Sequence, residues 1–297
     1  MNLANSTVAV TGATGFLGGY LVRRLLARGA RVVAVVRNLE KARPLADLGA
    51  ELRRADLADR PALQEAFAGV DAVISNAAVV AFMRPRETTR TNVEGTRNVF
   101  EALSAAGVKR AIVISSASAY AFSARTVDER SPLRAGKLTA LLHAYGESKA
   151  AAETIAKQLC QERQIALTIF RPCGITGPSD PLLMRTLQMF LRAKVVPFPV
   201  LTRIGVVHAE DVANAVCLAL ERTQLASGKA YNLQGNTISL WAMADAWRQA
   251  GGKVPWLRIP VPVPLLLRFD DGLARSELGY RPRDVGVICR EVVAQLG

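Results

Sequence analysis

The stretch Thr7-Val8-Ala9-Val10-Thr11-Gly12-Ala13-Thr14-Gly15-Phe16-Leu17-Gly18 runs from β-branched, apolar residues straight into spaced glycines. Residues 16–28 then carry apolar side chains at helical spacing, and Arg31–Val36 is apolar again, which completes a strand, turn, helix and strand within about 30 residues. In that setting each glycine has a task. Gly12 permits the tight turn, Gly15 lets the backbone approach a pyrophosphate, and Gly18 lets the helix pack close to the strand. Thr14, Phe16 and Leu17 share the loop, and the helix start offers phosphates its free N–H groups and the positive end of its dipole.

The alternation continues outward. Helices are predicted at 61–67, 92–106 and 145–163, and strands at 72–75, 111–115 and 166–170. Short apolar strands separated by helices indicate a parallel sheet covered on both faces, hence an α/β fold with a Rossmann-type, doubly wound sheet. After Arg171 the regularity weakens and Pro172, Pro178, Pro181, Pro197 and Pro199 accumulate, before a helix at Ala209–Glu221 and a strand at Ala230–Leu233 restore it. The expected division is a dinucleotide-binding domain of 1–172 plus 205–234 and a smaller, discontinuous lobe of 173–204 plus 235–297. In that lobe Pro255, Pro260, Pro262 and Pro264 preclude long helices.

Composition removes several alternatives. The chain has 297 residues, half of them hydrophobic, which supplies a core and excludes disorder. No apolar run approaches the roughly 20 residues of a membrane span, and the first residues lack a charged leader, so a cytoplasmic protein without a membrane span is expected. The four cysteines, Cys160, Cys173, Cys217 and Cys289, lack CxxC spacing and read as reduced, packed thiols, with no metal site. His143 and His208 are the only imidazoles and no GxSxG is present, so a Ser-His-Asp hydrolase lacks its material. The net charge is +13, but the arginines are scattered, with Arg23, Arg24, Arg28 and Arg31 around one helix and its exit. Without a helix-turn-helix, RNP or zinc-finger pattern, that charge reads as a solvated surface and not as nucleic-acid binding.

Cofactor choice is read where the second strand ends. An Asp or Glu there would accept from a ribose 2′-hydroxyl, but the residue is Arg37, with Asn38 and Lys41 behind it. A guanidinium pairs with a 2′-phosphate, which favours NADP, with NAD as the alternative. Further on, Asp56 and Leu57 occupy a loop from which a carboxylate reaches an adenine amino group. Asn76, Ala77 and Ala78 close the fourth strand with small residues over which a dinucleotide lies flat. In Tyr145-Gly146-Glu147-Ser148-Lys149 a phenol and an ammonium stand four residues apart at the head of a predicted helix, on one face. With its ordinary pKa near about 10 a tyrosine is a poor acid–base group at neutral pH, but a neighbouring cation together with a charged nicotinamide ring favours its phenolate. Ser115, Ser116 and Ser118 follow the fifth strand and bring hydroxyls to the same end of the sheet.

With TGATGFLG, the YxxxK pair, Asn92 in TNVEGT and RPCGITGP at 171–178, the chain resembles the extended short-chain dehydrogenase/reductase family. That group contains NAD(P)-dependent epimerases, dehydratases and hydroxysteroid-type dehydrogenases. The resemblance implies that Tyr145 is the general acid/base, that Lys149 lowers its pKa and binds the nicotinamide ribose, and that Ser116 holds the substrate oxygen, with Ser115 and Ser118 as alternatives. Asn92 would lie under the site and hold a relay water, although a helix N-cap explains it equally well. Pro172 and Gly174 would shape the nicotinamide end. In reduction, hydride passes to a carbonyl of a small-molecule substrate while Tyr145 gives a proton to the alkoxide. Relatives pair through the helices carrying Asn92 and Tyr145, so a homodimer is expected.

Two departures bear on substrate. Many nucleotide-sugar enzymes of this kind carry an Arg four residues before the His of a VHxxD-like segment. Here Val207-His208-Ala209-Glu210-Asp211 has Ile204 at the equivalent place, with Arg203 one step earlier. Dehydratases place an acid soon after the serine, where this chain has alanine and serine. Simple redox chemistry is therefore the first expectation, with a nucleotide-sugar epimerase or dehydratase as the alternative, since Arg192, Lys194, Arg203, Arg258 and Arg268 could still meet phosphates. Apolar stretches at 195–201 and 259–267 would line a pocket, fill a core or form a dimer surface. A non-catalytic dinucleotide-binding regulator on the same fold is the reading of another class.

Overall fold

The computed structural model describes residues 1–79, 88–121, 123, 125–134, 140–180, 195–199, 202–254, 257–262 and 268–295; for 140–143, 195–199, 240, 257 and 258 it describes the backbone alone. Its strands are β1 (Thr7–Thr11), β2 (Arg31–Val36), β3 (Glu51–Arg54), β4 (Ala72–Ser75), β5 (Arg110–Ile114), β6 (Ala166–Pro172), β7 (Gly174–Thr176), β8 (Val195–Pro199), β9 (Arg203–His208), β10 (Ala230–Leu233), β11 (Asn236–Ser239) and β12 (Leu257–Val261). Its helices are α1 (Phe16–Ala27), α2 (Leu39–Asp47), α3 (Arg60–Ala66), α4 (Gly95–Ala105), α5 (Ala140–Arg163), α6 (Ala209–Glu221), α7 (Thr223–Ala226), α8 (Leu240–Gln249) and α9 (Val285–Ala294).

Seven strands form one sheet in the order β10-β6-β5-β4-β1-β2-β3, every pair parallel. The apolar run of β1 is buried throughout because both faces are covered. Val8 and Val10 join a core with Leu21 and Val22 of α1 and Val212 and Val216 of α6. Ala9 faces the other way, into a core with Leu63, Phe100 and Leu103 of α3 and α4. The strand order reverses between β1 and β4, which opens a crevice at the C-terminal ends of the strands. The remaining strands form two small sheets, β11-β9-β7 and β12-β8.

Several boundaries differ from the sequence expectation. Strand β5 ends at Ile114, so Ser115 is the first residue beyond it, and β6 runs on to Pro172. Helix α5 begins at Ala140, which puts Tyr145 in its second turn instead of at its head. Elements α2 and β3 were not assigned from sequence. Residues 195–199 are β8, whereas 200, 201 and 263–267 lie outside the described residues, as do Pro181, Arg192 and Lys194. Cys160, Cys217 and Cys289 are buried, Cys173 is half-buried and all four are free. Among the described residues no helix is long and apolar enough to cross a membrane.

Candidate active site

A cavity of about 820 Å³ lies along the C-terminal ends of the strands. The glycine loop, Arg37, Asp56 and Leu57, Asn76 to Val79, Ser115, Tyr145, Lys149 and Ile175 line it. At its glycine end the backbone makes the surface. Gly12 has φ +64°, and a Cβ there would stand 2.7 Å from Ala77 Cα; a Cβ on Gly18 would stand 2.2 Å from the Gly12 carbonyl oxygen. Gly15 precedes α1 and brings no side-chain cap, so the first helical N–H groups, at Phe16 and Leu17 on the wall, have no side-chain cap among the described residues. Thr11, passed over in the sequence reading although it opens the motif, ties the loop to the next strand. Its Oγ1 accepts from Asn76 N at 3.1 Å and Ala77 N at 3.2 Å, while Asn76 Nδ2 donates to the Gly12 carbonyl at 3.2 Å. This cradle, closed to a side chain but open to a ligand, fits a dinucleotide pyrophosphate.

Arg37 stands at the end of β2 with its side chain 81% exposed, 3.9 Å from Asp56 Oδ2. Asp56 also accepts from Ala58 N at 2.9 Å, so the carboxylate expected to meet an adenine is partly engaged in its own turn. The Leu57 carbonyl accepts from Asn98 Nδ2 at 2.8 Å.

At the other end side chains do the work. Tyr145 is hydrogen-bonded to Ser116; burial holds its phenol above the ordinary value, and the Ser116 bond opposes that shift. Lys149, 7% exposed, donates to the Ile114 carbonyl at 2.8 Å, and its Nζ lies 6.0 Å from the Tyr145 ring centre. Burial pushes its ammonium down to about 8 against the opposing charge of Glu153. Gly146 makes this arrangement possible, because a Cβ there would stand 2.2 Å from the Ser118 carbonyl oxygen. Ser116 also accepts from Ser118 N at 3.1 Å. Ser115 lines the cavity with a buried Oγ that has no hydrogen-bond partner among the described residues.

Asn92 does not cap a helix. It lies inside a π-turn at Arg90–Glu94 that leads into α4, 2% exposed, and its amide accepts from Val79 N at 2.8 Å. The same amide donates to the Val79 carbonyl at 3.1 Å and to Ser148 Oγ at 2.9 Å, clamping the segment after β4 to α5. Gly18 and Asn92 therefore support the wall from behind. Pro172 is buried in the ladder opposite Leu233 and Gly174 is exposed, neither of them on the wall; Ile175, not anticipated from sequence, takes that place.

The chain is similar to known proteins over most of its length. Residues 8–233 match the family model described as NAD dependent epimerase/dehydratase family. Tetraketide alpha-pyrone reductase 1 of Arabidopsis thaliana is 30% identical over 323 aligned positions, covering 100% of this chain and 97% of that protein. Cinnamoyl-CoA reductase 2 of Medicago truncatula is 34% identical over 246 positions, 76% of this chain and 71% of that one. Two solved structures share the fold over 98% of both chains. Yeast methylglyoxal/isovaleraldehyde reductase Gre2, complexed with NADPH, has a TM-score of 0.85 at 19% identity. UDP-glucose-4-epimerase from Stenotrophomonas maltophila, with bound NAD, has 0.83 at 24%.

Proposed function

This chain belongs to the NAD dependent epimerase/dehydratase family, and we propose that within it the chain is an NADP-dependent reductase acting on the carbonyl of a small molecule, or on the secondary alcohol in reverse. The observation that carries the reading is a continuous cavity whose wall includes the glycine loop at one end and Tyr145 and Lys149 at the other. The similarity to two plant reductases over most of the chain supports it.

Bound nicotinamide supplies the hydride. In the proposed scheme the chain's own groups do the rest. Burial keeps Tyr145 protonated, which suits a group that donates a proton to a developing alkoxide. Ser116, bonded to Tyr145, orients the phenol and shares the substrate oxygen. Lys149, fixed by the Ile114 carbonyl, holds the ribose and favours the phenolate once the proton has left. Arg37, exposed at the end of β2, pairs with a 2′-phosphate. Residues 173–204 and 235–297 form the substrate lobe, the assembly is a homodimer through α4 and α5, and the location is cytoplasmic.

The test is NADPH oxidation with a panel holding a tetraketide alpha-pyrone, cinnamoyl-CoA, methylglyoxal and isovaleraldehyde, with UDP-glucose scored for epimerisation. Oxidation of NADPH by any of the carbonyls, abolished by Tyr145→Phe, is expected. Epimerisation of UDP-glucose without net reduction would favour the nucleotide-sugar reading instead. Tight dinucleotide binding with turnover of nothing would favour a regulator.

A further inference from the structure

Resting on the assignment of Tyr145 and Lys149 above, we propose that Glu153 and Arg171 are positioning residues: their buried ion pair, extended through Tyr120, locks the Tyr145–Lys149 helix to the serine loop and sets a fixed negative charge one turn from the Lys149 ammonium.

Glu153 follows Lys149 by four residues on α5, so both lie on one helix face, and its side chain is 0% exposed. Arg171, on β6, is 2% exposed and grips it at both oxygens, Nε to Oε1 at 3.0 Å and a terminal nitrogen to Oε2 at 2.6 Å. The other terminal nitrogen donates to Tyr120 Oη at 2.7 Å and to the Glu129 carbonyl at 3.2 Å. Tyr120 ends the short 3-10 turn Ala117–Ala119 that begins at Ser116, and its hydroxyl donates to Asn232 Oδ1 at 2.7 Å. The strand side is equally fixed, since Ser115 N donates to the carbonyl of Phe170, the residue before Arg171, at 2.8 Å. One guanidinium thus connects the helix carrying Tyr145 and Lys149 to the loop carrying Ser116, and a planar five-donor group is the side chain suited to that task.

A wholly buried ion pair is an expensive way to join two elements, because apolar residues of the same volume hold such places at least as well. The charge itself therefore points to a use. Lys149 is buried, which disfavours its ammonium, and Glu153 is the group whose charge opposes this. Lys149 is faced on α5 by the Tyr145 ring and by Glu153. Glu153 in turn meets Arg171 of β6 and the exposed Lys157 of α5, the latter at 3.9 Å, while Tyr120 and the Glu129 carbonyl meet Arg171. The π-turn contributes Arg90 and Glu94 at the cavity wall, and α4 carries the exposed Arg97 and the half-buried Glu101, the latter paired with Arg60 at 2.8 Å.

The experiment is NADPH affinity of the intact protein followed by fluorescence across a pH series, with kcat and KM for whichever carbonyl is turned over. In the wild type, affinity weakens as pH rises past the Lys149 transition near about 8. Glu153→Gln moves that weakening to lower pH by about one unit or more. Because it strands the Arg171 charge, the double variant Glu153→Gln/Arg171→Met is measured beside it, and it keeps the shift although the stranded guanidinium is gone. Tyr120→Phe, which leaves the ion pair in place, lowers kcat about threefold to tenfold with KM and the pH curve unmoved. A folded double variant whose affinity weakens at the wild-type pH overturns the charge role. An unchanged kcat in Tyr120→Phe overturns the link to the serine loop. Failure of the wild type to bind NADPH at any pH overturns the functional reading together with this one, whereas normal binding and turnover with unmoved variants overturns this inference alone.

Discussion

The two ends of the cavity are made of different material. At the glycine end the surface is backbone, and the close contacts of Gly12 and Gly18 leave no room for side chains. At the Tyr145 end the surface is side chain, and its key groups sit among buried charges and hydrogen bonds, with Lys149 on the Ile114 carbonyl and Glu153 in the grip of Arg171. The difference teaches what each end tolerates. A backbone cradle is lost by adding one methyl group, whereas a side-chain site is lost by removing one proton or one charge.

Substitutions at each end sharpen that contrast. Tyr145→Phe keeps the ring and removes the proton, so turnover falls by about 10³-fold while NADPH affinity changes less than about threefold, read from steady-state kinetics and fluorescence titration. Equal losses in both would mean that the phenol binds instead of reacting.

Lys149 gives a stability effect with a defined sign. Its folded-state pKa, driven down by burial to about 8, lies below the ordinary 10.5. Between those values the unfolded chain binds more protons, so this residue's penalty is full at neutral pH and fades as pH rises towards 10.5. Urea unfolding should therefore find Lys149→Met more stable than the wild type at neutral pH by up to about 3 kcal/mol, with the gap closing on the alkaline side. A gap that widens with pH would contradict the burial account.

At the glycine end, Gly12→Ala places a methyl against Ala77 at a left-handed φ of +64°. A loss of about 2 kcal/mol in unfolding free energy is expected, with NADPH affinity down at least about tenfold. The smallest effect belongs to Thr11→Val, which keeps the shape and removes the acceptor of two backbone N–H groups. It should cost about 1 kcal/mol, checked by thermal or urea unfolding, and leave the alkaline behaviour of Lys149 untouched.

The same contrast explains what the amino-acid sequence disclosed. Backbone demands leave glycines at fixed spacing, so Gly12, Gly15 and Gly18 declared the turn, and the apolar runs of β1, β2 and β4 declared the buried parallel sheet. Edge strand β3 carries Glu51-Leu52-Arg53-Arg54, partly exposed and without an apolar run, and α2 holds Pro44 in its interior, so neither gave a periodic signal. The YxxxK pair was legible because both partners lie on one helix. Its supports were not, because they join residues far apart in the chain: Arg171 meets Glu153 across 18 residues and Tyr120 across 51. Asn92 stood in view within TNVEGT, but its clamp between Val79 and Ser148 was not legible, since it depends on where α5 lies. Gly146 stood in view within the motif, and only the 2.2 Å approach to the Ser118 carbonyl gives it a purpose.

The most direct test of the cofactor end is calorimetric titration of the wild type and Arg37→Asp with NADPH and NADH in parallel. The account predicts that the wild type binds NADPH at least about tenfold more tightly than NADH and that Arg37→Asp abolishes or reverses this preference. Binding of neither dinucleotide, or a preference that Arg37→Asp leaves unchanged, would contradict it.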